Sequence, residues 1–158
     1  MDLTFLQSHS LFGGITAEQI EMIRPFFSES YFRTGEFIER EGDRGSRIFF
    51  ITEGSVEIIK KLKHAAGFRR LLLLDAGETF GEMELIDVQP CAASVRALAD
   101  TKTLTLSNRG LYEINKTSCR IFSILIMNLA RDISRRLRKE DDMLAEFVET
   151  EHKFEVEQ

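Results

Sequence analysis

The sequence is poor in the residues that build metal centres, disulfide scaffolds and membrane spans. Its 158 residues include two cysteines, Cys91 and Cys119, and three histidines, at positions 9, 64 and 152. Cysteines at this spacing predict neither a metal site nor a disulfide framework, so we expect two free thiols. The scattered histidines form no catalytic or metal constellation, and no apolar run approaches the roughly 20 residues that span a bilayer. We therefore expect no enzyme activity, no metal and no membrane contact.

Proline and tryptophan are also scarce, with two and none, beside thirteen Phe and ten Gly. Hydrophobic residues make up 43% and charged residues 30%, which is ordinary for a folded protein and excludes disorder along the whole chain. The length suits one domain with its own core. The start, MDLTFLQSHS, has no basic region ahead of an apolar core, so it is not a signal peptide and a cytoplasmic protein is expected.

An excess of positive charge is missing as well, which disfavours DNA binding by the chain itself. The formal net charge is −5 and the pI about 5.3. The basic cluster RRLRK, residues 135–139, is followed directly by residues 140–158, which carry eight Asp or Glu against one Lys and would repel phosphates. We interpret the basic cluster as a solvated face or a source of interhelical ion pairs.

The first two thirds of the sequence predict one short helix and then several strands. Thr16 followed by Gln19 is a capping-box pattern that opens a helix over Thr16–Phe27. From Tyr31 glycines separate short β-rich runs, which indicates a small antiparallel sandwich or barrel. The predicted strands are Ile48–Thr52, Ser55–Ile59, a buried strand Arg69–Leu74, Ala92–Ala99 and Lys102–Ser107.

The last third predicts a long helix, interrupted near Thr117 and Ser118. An apolar stripe at helical spacing runs along it; its members are Ile126, Leu129, Ile133, Leu137 and Leu144. An apolar stripe of this length has to be covered by other apolar surface, and we expect a homodimer through this helix. The alternative is that the helix folds back as a lid over its own β domain. The predicted organisation is a β-roll with its N-terminal helix over residues 1–116, a helical segment over 117–150 and an acidic tail over 151–158.

The order of elements, together with EGDRGSRIFFITEG at residues 41–54, resembles the cyclic-nucleotide-binding domain. This domain occurs in the catabolite activator protein family and in regulatory subunits of cyclic-AMP-dependent kinase, and the resemblance spans about residues 11–140. It implies a mainly β fold, an antiparallel, jelly-roll-like β-roll with a short N-terminal and a long C-terminal helix. It also assigns tight corners with positive φ to Gly35, Gly42, Gly45 and Gly54. Glu39 departs from the pattern, since the family usually has an apolar residue there.

A second motif, FGEMELIDVQPCAASV at residues 80–95, resembles the family's phosphate-binding cassette, approximately F-G-E-L-A-L, a spacer and P-R-A-A-T-V. The resemblance implies ligand contacts at Gly81, Glu82, Met83, Ala92, Ala93 and Ser94, with Glu82 accepting from the ribose 2′-hydroxyl. Glu84 stands where the family has a small residue, and Cys91 replaces the arginine that pairs with the cyclic phosphate. Both departures fall on ligand-facing positions.

These departures predict weak or absent binding of cyclic AMP and cyclic GMP. The lost charge-assisted hydrogen bond is worth roughly 1.5–3 kcal/mol, and a carboxylate about 4 Å from the phosphate adds repulsion of up to about 4 kcal/mol. We therefore expect the chain to be a non-catalytic regulatory module without a cofactor, which acts through dimerisation and an unknown protein partner.

Two other functions stay open at this point. One is a sensor of a cyclic nucleotide or another small anion that uses a variant pocket, with Arg44, Arg47 or Arg96 as the substitute cation; Ala92 then favours cyclic AMP. The other is the effector part of a transcription regulator without its DNA-binding domain. A redox role for Cys91 is a further alternative, since an exposed thiol beside a helix N-terminus has a lowered pKa.

Overall fold

Short helices form the N-terminal part of the protein. The computed structural model describes residues 3–87 and 89–156, and the side chains of residues 4–87 and 89–148. Helix α1 is Leu3–Ser8, a 3-10 turn spans Ser10–Phe12, and α2 is Ala17–Ile23. Among the described residues, no helix is long and apolar enough to cross a membrane.

The predicted capping box at the start of α2 is confirmed, but the predicted helix is too long. The Thr16 hydroxyl accepts from the Gln19 N–H at 3.3 Å, and the Gln19 side chain accepts from the Thr16 N–H at 2.9 Å. Helix α2 ends at Ile23, because Pro25 lacks an N–H to continue the hydrogen-bond ladder. A 3-10 turn follows, and Phe27 opens the first strand.

Within residues 3–87 and 89–156, eight strands form two antiparallel sheets, so the predicted β-roll is confirmed. The first sheet has the order β1-β8-β3-β6 and the second has the order β2-β7-β4-β5. Ile51, Val56, Phe80 and other apolar side chains form a core inside the roll, and a second core lies between the first sheet and the helices. The strands are β1 Phe27–Phe32, β2 Phe37–Glu39, β3 Arg47–Glu53, β4 Ser55–Lys61, β5 Phe68–Asp75, β6 Thr79–Phe80, β7 Ser94–Ala97 and β8 Thr101–Ser107.

Two strand predictions need correction. The strand predicted over Ala92–Ala99 is confined to β7, because residues 90–93 form a loop. The run Arg69–Leu74 does form β5, but it is not buried: Leu74 lies in the core, whereas Leu71 is 54% exposed. Strand β5 lies at the edge of its sheet, and a leucine run does not reveal whether a strand is central or at an edge.

The four corner glycines have two different roles. Gly35, Gly42 and Gly54 have φ of +84°, +90° and +85°, as predicted. The prediction is wrong for Gly45, whose φ is not in the left-handed region. A Cβ at Gly45 would overlap the Glu84 side chain and lie 3.2 Å from the Cys91 sulfur. Gly45 is therefore required for close packing rather than for backbone freedom.

A short helix, α3 Glu82–Asp87, lies between β6 and β7. In the described part of the chain, two helices follow β8, α4 Asn108–Thr117 and α5 Cys119–Val156, and the predicted interruption between them is confirmed. Ser118 is extended between them, and its hydroxyl accepts from the Ile121 N–H at 3.3 Å, which caps the start of α5. The predicted domain boundaries at residues 116 and 150 remain a prediction, and residues 157–158 of the predicted acidic tail lie outside the described residues.

The predicted apolar stripe of α5 divides into two parts. Leu129 is buried in the protein's own core, and Ile126 and Ile133 pack at its edge. From Leu137 to Val148 every side chain is exposed, and Leu144 is 62% exposed. The first part is therefore a lid on the β-roll. The second part and the solvent-facing side of the first part are open to a partner.

Candidate functional site

The cassette loop is held against the first glycine turn by backbone hydrogen bonds. The Gly42 N–H donates to the Cys91 carbonyl at 2.9 Å, and the Cys91 N–H donates to the Asp43 carbonyl at 2.8 Å. Arg44 and Pro90 form an isolated antiparallel bridge beside them. This pairing holds Cys91 and the backbone N–H groups that follow it beside the turn at residues 42–44.

Glu84 lies inside the cassette and already uses one of its backbone donors. It belongs to the short helix α3, Glu82–Asp87, and is 8% exposed. Its Oε1 accepts from the Ala92 N–H at 3.2 Å, and its side chain packs against Gly45. The two departures from the family motif are therefore neighbours in space, since Cys91 contacts the same glycine position.

Glu82, the expected ribose acceptor, is tied to the C-terminal helix. Arg136 of α5 donates from Nη1 to Glu82 Oε1 at 2.7 Å, and from Nη2 to the Thr79 carbonyl at 3.0 Å and hydroxyl at 2.9 Å. Burial raises the pKa of Glu82, although the charge of Arg136 opposes this shift. Among the described residues, Glu82 Oε2 is buried without a hydrogen-bond partner.

The carboxylates of Glu84 and Glu82 contribute to a raised pKa at the neighbouring Glu39. Burial and the charges of Glu84 and Glu82 raise the pKa of Glu39 to about 7, against the effect of Arg47. Glu39 thus sits where the family usually has an apolar residue, and it is protonated in a large fraction of molecules at neutral pH.

The Cys91 thiol is buried in the cassette loop. Burial, followed by the charges of Glu39 and Glu84, raises the pKa of its thiol to about 11. The alternative of an exposed thiol with a lowered pKa is therefore wrong. A neutral thiol stands where the family pattern has a guanidinium.

The three candidate substitute cations have different surroundings. Arg44 and Arg47 line a cavity of about 200 Å³ together with Glu39 and Cys91. Arg96 is engaged elsewhere, because it forms an ion pair with Glu57, which also pairs with Arg70 at 2.6 Å. Although burial opposes it, hydrogen bonds from these two arginines lower the pKa of Glu57.

The remaining predicted cassette residues are only partly brought together. Gly81 has φ of +82°, and a Cβ there would overlap the Arg47 carbonyl oxygen. Ser94 is buried and its hydroxyl accepts from the Glu41 N–H at 2.9 Å. Met83 and Ala92 are exposed, and Ala93 is half-buried. Ser94 therefore stabilises the corner after Arg40, and Met83 faces away from the buried carboxylates.

Sequence reasoning missed Arg136. The interpretation of residues 135–139 as a solvated face or a source of interhelical ion pairs is wrong for Arg136, because this side chain contacts Glu82 and Thr79. The only local signal is Asp132 one turn earlier, which pairs with Arg136 at 3.1 Å. Among the described residues, no group of three or more His, Cys, Asp or Glu could hold a metal ion.

Comparisons with known proteins identify a protein family that matches this chain. The model of the cyclic nucleotide-binding domain matches residues 29–118. A cyclic AMP receptor protein from Thermus thermophilus is 31% identical over 137 residues, which are 86% of this chain and 61% of the relative. A cGMP-dependent protein kinase from Caenorhabditis briggsae is 26% identical over 71% of this chain and 15% of the kinase.

The crystal structure of the Thermus thermophilus catabolite activator protein has the same fold, with a TM-score of 0.75 and 30% identity over 85% of this chain and 61% of that chain. The chain thus spans less than two thirds of the length of these relatives. The family match covers more than half of the chain and includes the glycine-rich motif of residues 41–54 and the cassette. This protein belongs to the cyclic nucleotide-binding domain family.

Proposed function

We propose that this chain is a non-catalytic, cytoplasmic regulatory module that binds cyclic AMP and cyclic GMP weakly or not at all and acts through dimerisation and protein contacts. The observation that carries the proposal is the buried carboxylate of Glu84, which accepts the Ala92 N–H inside the cassette. An anion that used this N–H would have to displace a carboxylate and then remain close to it.

The surrounding charges support weak phosphate binding. Burial, followed by the negative charges of Glu84 and Glu82, raises the pKa of Glu39 to about 7, so a phosphate here would meet carboxylates that already repel further negative charge. Cys91 provides a neutral thiol, with its pKa raised to about 11, where an arginine would contribute roughly 1.5–3 kcal/mol. The residues present therefore do not fit a cyclic phosphate.

The arrangement of α5 supports an output through protein contacts. Arg136 joins this helix to Glu82 in the cassette, so a change at Glu82 would act directly on a side chain of the helix. Beyond Leu137 the helix exposes apolar side chains, among them Leu144 and Phe147. An exposed apolar face of this length is typical of a protein interface.

Calorimetric titration of the full chain tests the ligand part of the proposal. Cyclic AMP and cyclic GMP, each up to high micromolar concentration, should give no saturable heat. Sedimentation equilibrium tests the interaction part, and a dimer mass at tens of micromolar is the expected result. Saturable micromolar binding contradicts the first part, and a monomer mass contradicts the second.

One observation favours a second candidate, a sensor of a cyclic nucleotide or another small anion that uses a variant pocket. Arg44 and Arg47 lie beside Cys91 in the 200 Å³ cavity, so an anion placed there would avoid Glu84. This candidate predicts that cyclic nucleotides or inorganic phosphate raise the thermal denaturation midpoint and that Arg47→Ala removes the rise. No rise with either ligand would contradict it.

A further inference from the structure

The hairpin formed by β4 and β5 concentrates positive charge on an acidic protein. Between Glu57 and Asp75 the sequence contains no Asp or Glu. The cations in this stretch are Lys60, Lys61, Lys63, Arg69 and Arg70. They form a local excess of positive charge, although the formal net charge of the whole chain is −5. We call residues 60–70 the basic hairpin.

The basic hairpin extends beyond the neighbouring strand of its sheet. Strand β7 pairs with β4 over residues 56–59, whereas β5 stays paired with β4 as far as Lys61 and Phe68. In the described part of the chain, the two strands therefore form a ribbon beyond Ile59 that has no further strand beside it. Every side chain from residue 60 to residue 73 is exposed. The ribbon is thus accessible to a large external surface.

Most cations of the basic hairpin are not neutralised within the protein. Arg70 is the exception, because it pairs with Glu57 at 2.6 Å. The Glu41 carboxylate also reaches the hairpin, but it accepts from the Lys61 backbone N–H, at 3.1 Å. Among the described side chains, no ion pair involves Lys60, Lys61, Lys63 or Arg69. An accessible group of unpaired cations attracts an anionic partner.

Exposed apolar side chains lie among these cations. Leu62 is 40% exposed between two lysines, and Phe68, whose Cα partner is Lys61, is 42% exposed. Three leucines continue the exposed apolar surface along β5, namely Leu71, Leu72 and Leu73. Binding to a membrane interface combines burial of apolar side chains with attraction to anionic lipid. The basic hairpin supplies both contributions at one place.

A nucleic acid would be attracted by the same cations but fits the hairpin less well. Phosphate contacts gain little from aliphatic side chains, and sequence-independent binding of single strands depends on aromatic rings that stack on bases. The aromatic ring of the hairpin, Phe68, already packs against Phe37 with ring centroids 6.0 Å apart. The exposed leucines therefore favour a lipid surface over a nucleic acid.

We propose that the basic hairpin docks this protein on the surface of anionic lipid bilayers, with Leu62 and Phe68 in the interface and the unpaired cations on the lipid headgroups. The lack of an apolar run of spanning length disfavours a helix across a bilayer, but it does not bear on contact with the bilayer surface. The proposal therefore replaces the expectation of no membrane contact, and it goes beyond the proposed function because it requires neither the cassette nor a dimer.

Co-sedimentation of the full chain with vesicles tests the docking. At about 0.1 M NaCl, vesicles of phosphatidylcholine mixed with phosphatidylserine should pellet the protein, and vesicles of phosphatidylcholine alone should not. Each Lys or Arg near an anionic membrane strengthens binding about fivefold. The combined variant Lys60→Gln, Lys61→Gln and Lys63→Gln should therefore bind on the order of 100-fold more weakly.

A matched control removes the same number of charges from another surface. Three arginines of α5 are exposed, and the control variant combines Arg131→Gln, Arg135→Gln and Arg138→Gln. It should weaken vesicle binding by less than about fivefold, because charges more than about 10 Å from the bilayer are largely screened at this salt concentration. Thermal denaturation establishes that both variants are folded.

The absence of tryptophan from the sequence allows a second readout, which reports the point of contact. Leu62→Trp places a single indole at the end of the hairpin. Its fluorescence should shift to the blue when phosphatidylserine-containing vesicles are added, because the indole enters the membrane interface. Met127→Trp places the indole at an exposed position of α5 and should show no shift. A duplex DNA fragment and polyglutamate should leave both emission spectra unchanged.

Each alternative partner gives a different result. No pelleting with phosphatidylserine-containing vesicles overturns the proposal, and so does an equal loss of binding in the lysine and arginine variants. Pelleting without a blue shift of the Leu62→Trp protein also overturns it, because another surface then contacts the bilayer. Tighter binding of the DNA fragment or of polyglutamate than of vesicles, lost with the three lysines, assigns the hairpin to a polyanion instead of a membrane.

Discussion

Restoring the two side chains that the cassette lacks should create nucleotide affinity in this protein. The change is Glu84→Ala combined with Cys91→Arg. Glu84 Oε1 lies 3.2 Å from the Ala92 nitrogen, so a phosphate oxygen bound to the same N–H would be about 4–6 Å from that carboxylate. At this separation and an effective dielectric near 20, the repulsion is roughly 3–4 kcal/mol.

The arginine adds a charge-assisted hydrogen bond of roughly 1.5–3 kcal/mol. Together the two changes should strengthen cyclic AMP binding by a factor on the order of 1,000 or more. The cavity of about 200 Å³ beside Cys91 offers room for the longer side chain. Isothermal titration calorimetry with cyclic AMP measures the gain. The reference is the wild-type protein titrated with cyclic AMP up to high micromolar concentration.

Two control variants separate the effect of the added or removed charge from the effect of changing the side chain that occupies the site. Glu84→Gln removes the charge but keeps an oxygen that accepts the Ala92 N–H, so it should gain less than Glu84→Ala. Cys91→Ser changes the thiol without adding a cation and should gain nothing. Thermal denaturation establishes that each variant is folded.

Two results would refute this reasoning. The first is a wild-type protein that already binds cyclic AMP at micromolar concentration. The second is a folded double variant whose affinity stays within threefold of wild type. Either would mean that Glu84 and Cys91 do not control phosphate affinity.

Three further predictions concern stability. Arg136→Ala leaves the buried Glu82 carboxylate without its cation and should lower the free energy of unfolding by about 1–3 kcal/mol in urea, whereas Arg138→Ala, at an exposed position, should change it by less than about 0.5 kcal/mol. The pKa of Glu39 is raised to about 7 in the folded state, so its contribution to stability is present below pH 4.5 and is lost as pH rises toward 7. The loss is at most about 3 kcal/mol, and urea titrations at pH 5 and 7.5 should show it in wild type and not in Glu39→Gln. Gly45→Ala should cost about 1–3 kcal/mol in thermal denaturation because the added methyl overlaps the cassette; a neutral effect would contradict the close packing.

Local sequence signals predicted the features that depend on neighbouring residues along the chain. The capping box of Thr16 and Gln19 is confirmed because both partners lie within one helical turn. Positive φ at Gly35, Gly42 and Gly54 is confirmed because tight corners require glycine whatever packs around them. The break at Ser118 is confirmed for the same reason, since its hydroxyl caps the next turn.

The wrong predictions about Leu71, Gly45 and Cys91 depend on residues that are distant in the sequence. The exposure of Leu71 depends on the position of β5 at the edge of its sheet. The role of Gly45 depends on Glu84, which reaches it only when the cassette folds against the first glycine turn. Burial of Cys91 likewise comes from that turn, and it reverses the direction of the expected pKa shift.

By itself the sequence determined the fold, the cassette and its two departures, because alternation, glycine positions and motif spacing are properties of short segments. The tertiary structure alone decided how these parts act on one another. It brought Arg136 to Glu82 across 54 residues, set Glu84 on the Ala92 N–H, and divided the stripe of α5 into a lid and an open half. Contacts of this kind arise from packing between elements, and no local pattern encodes which charged side chains packing will bring together.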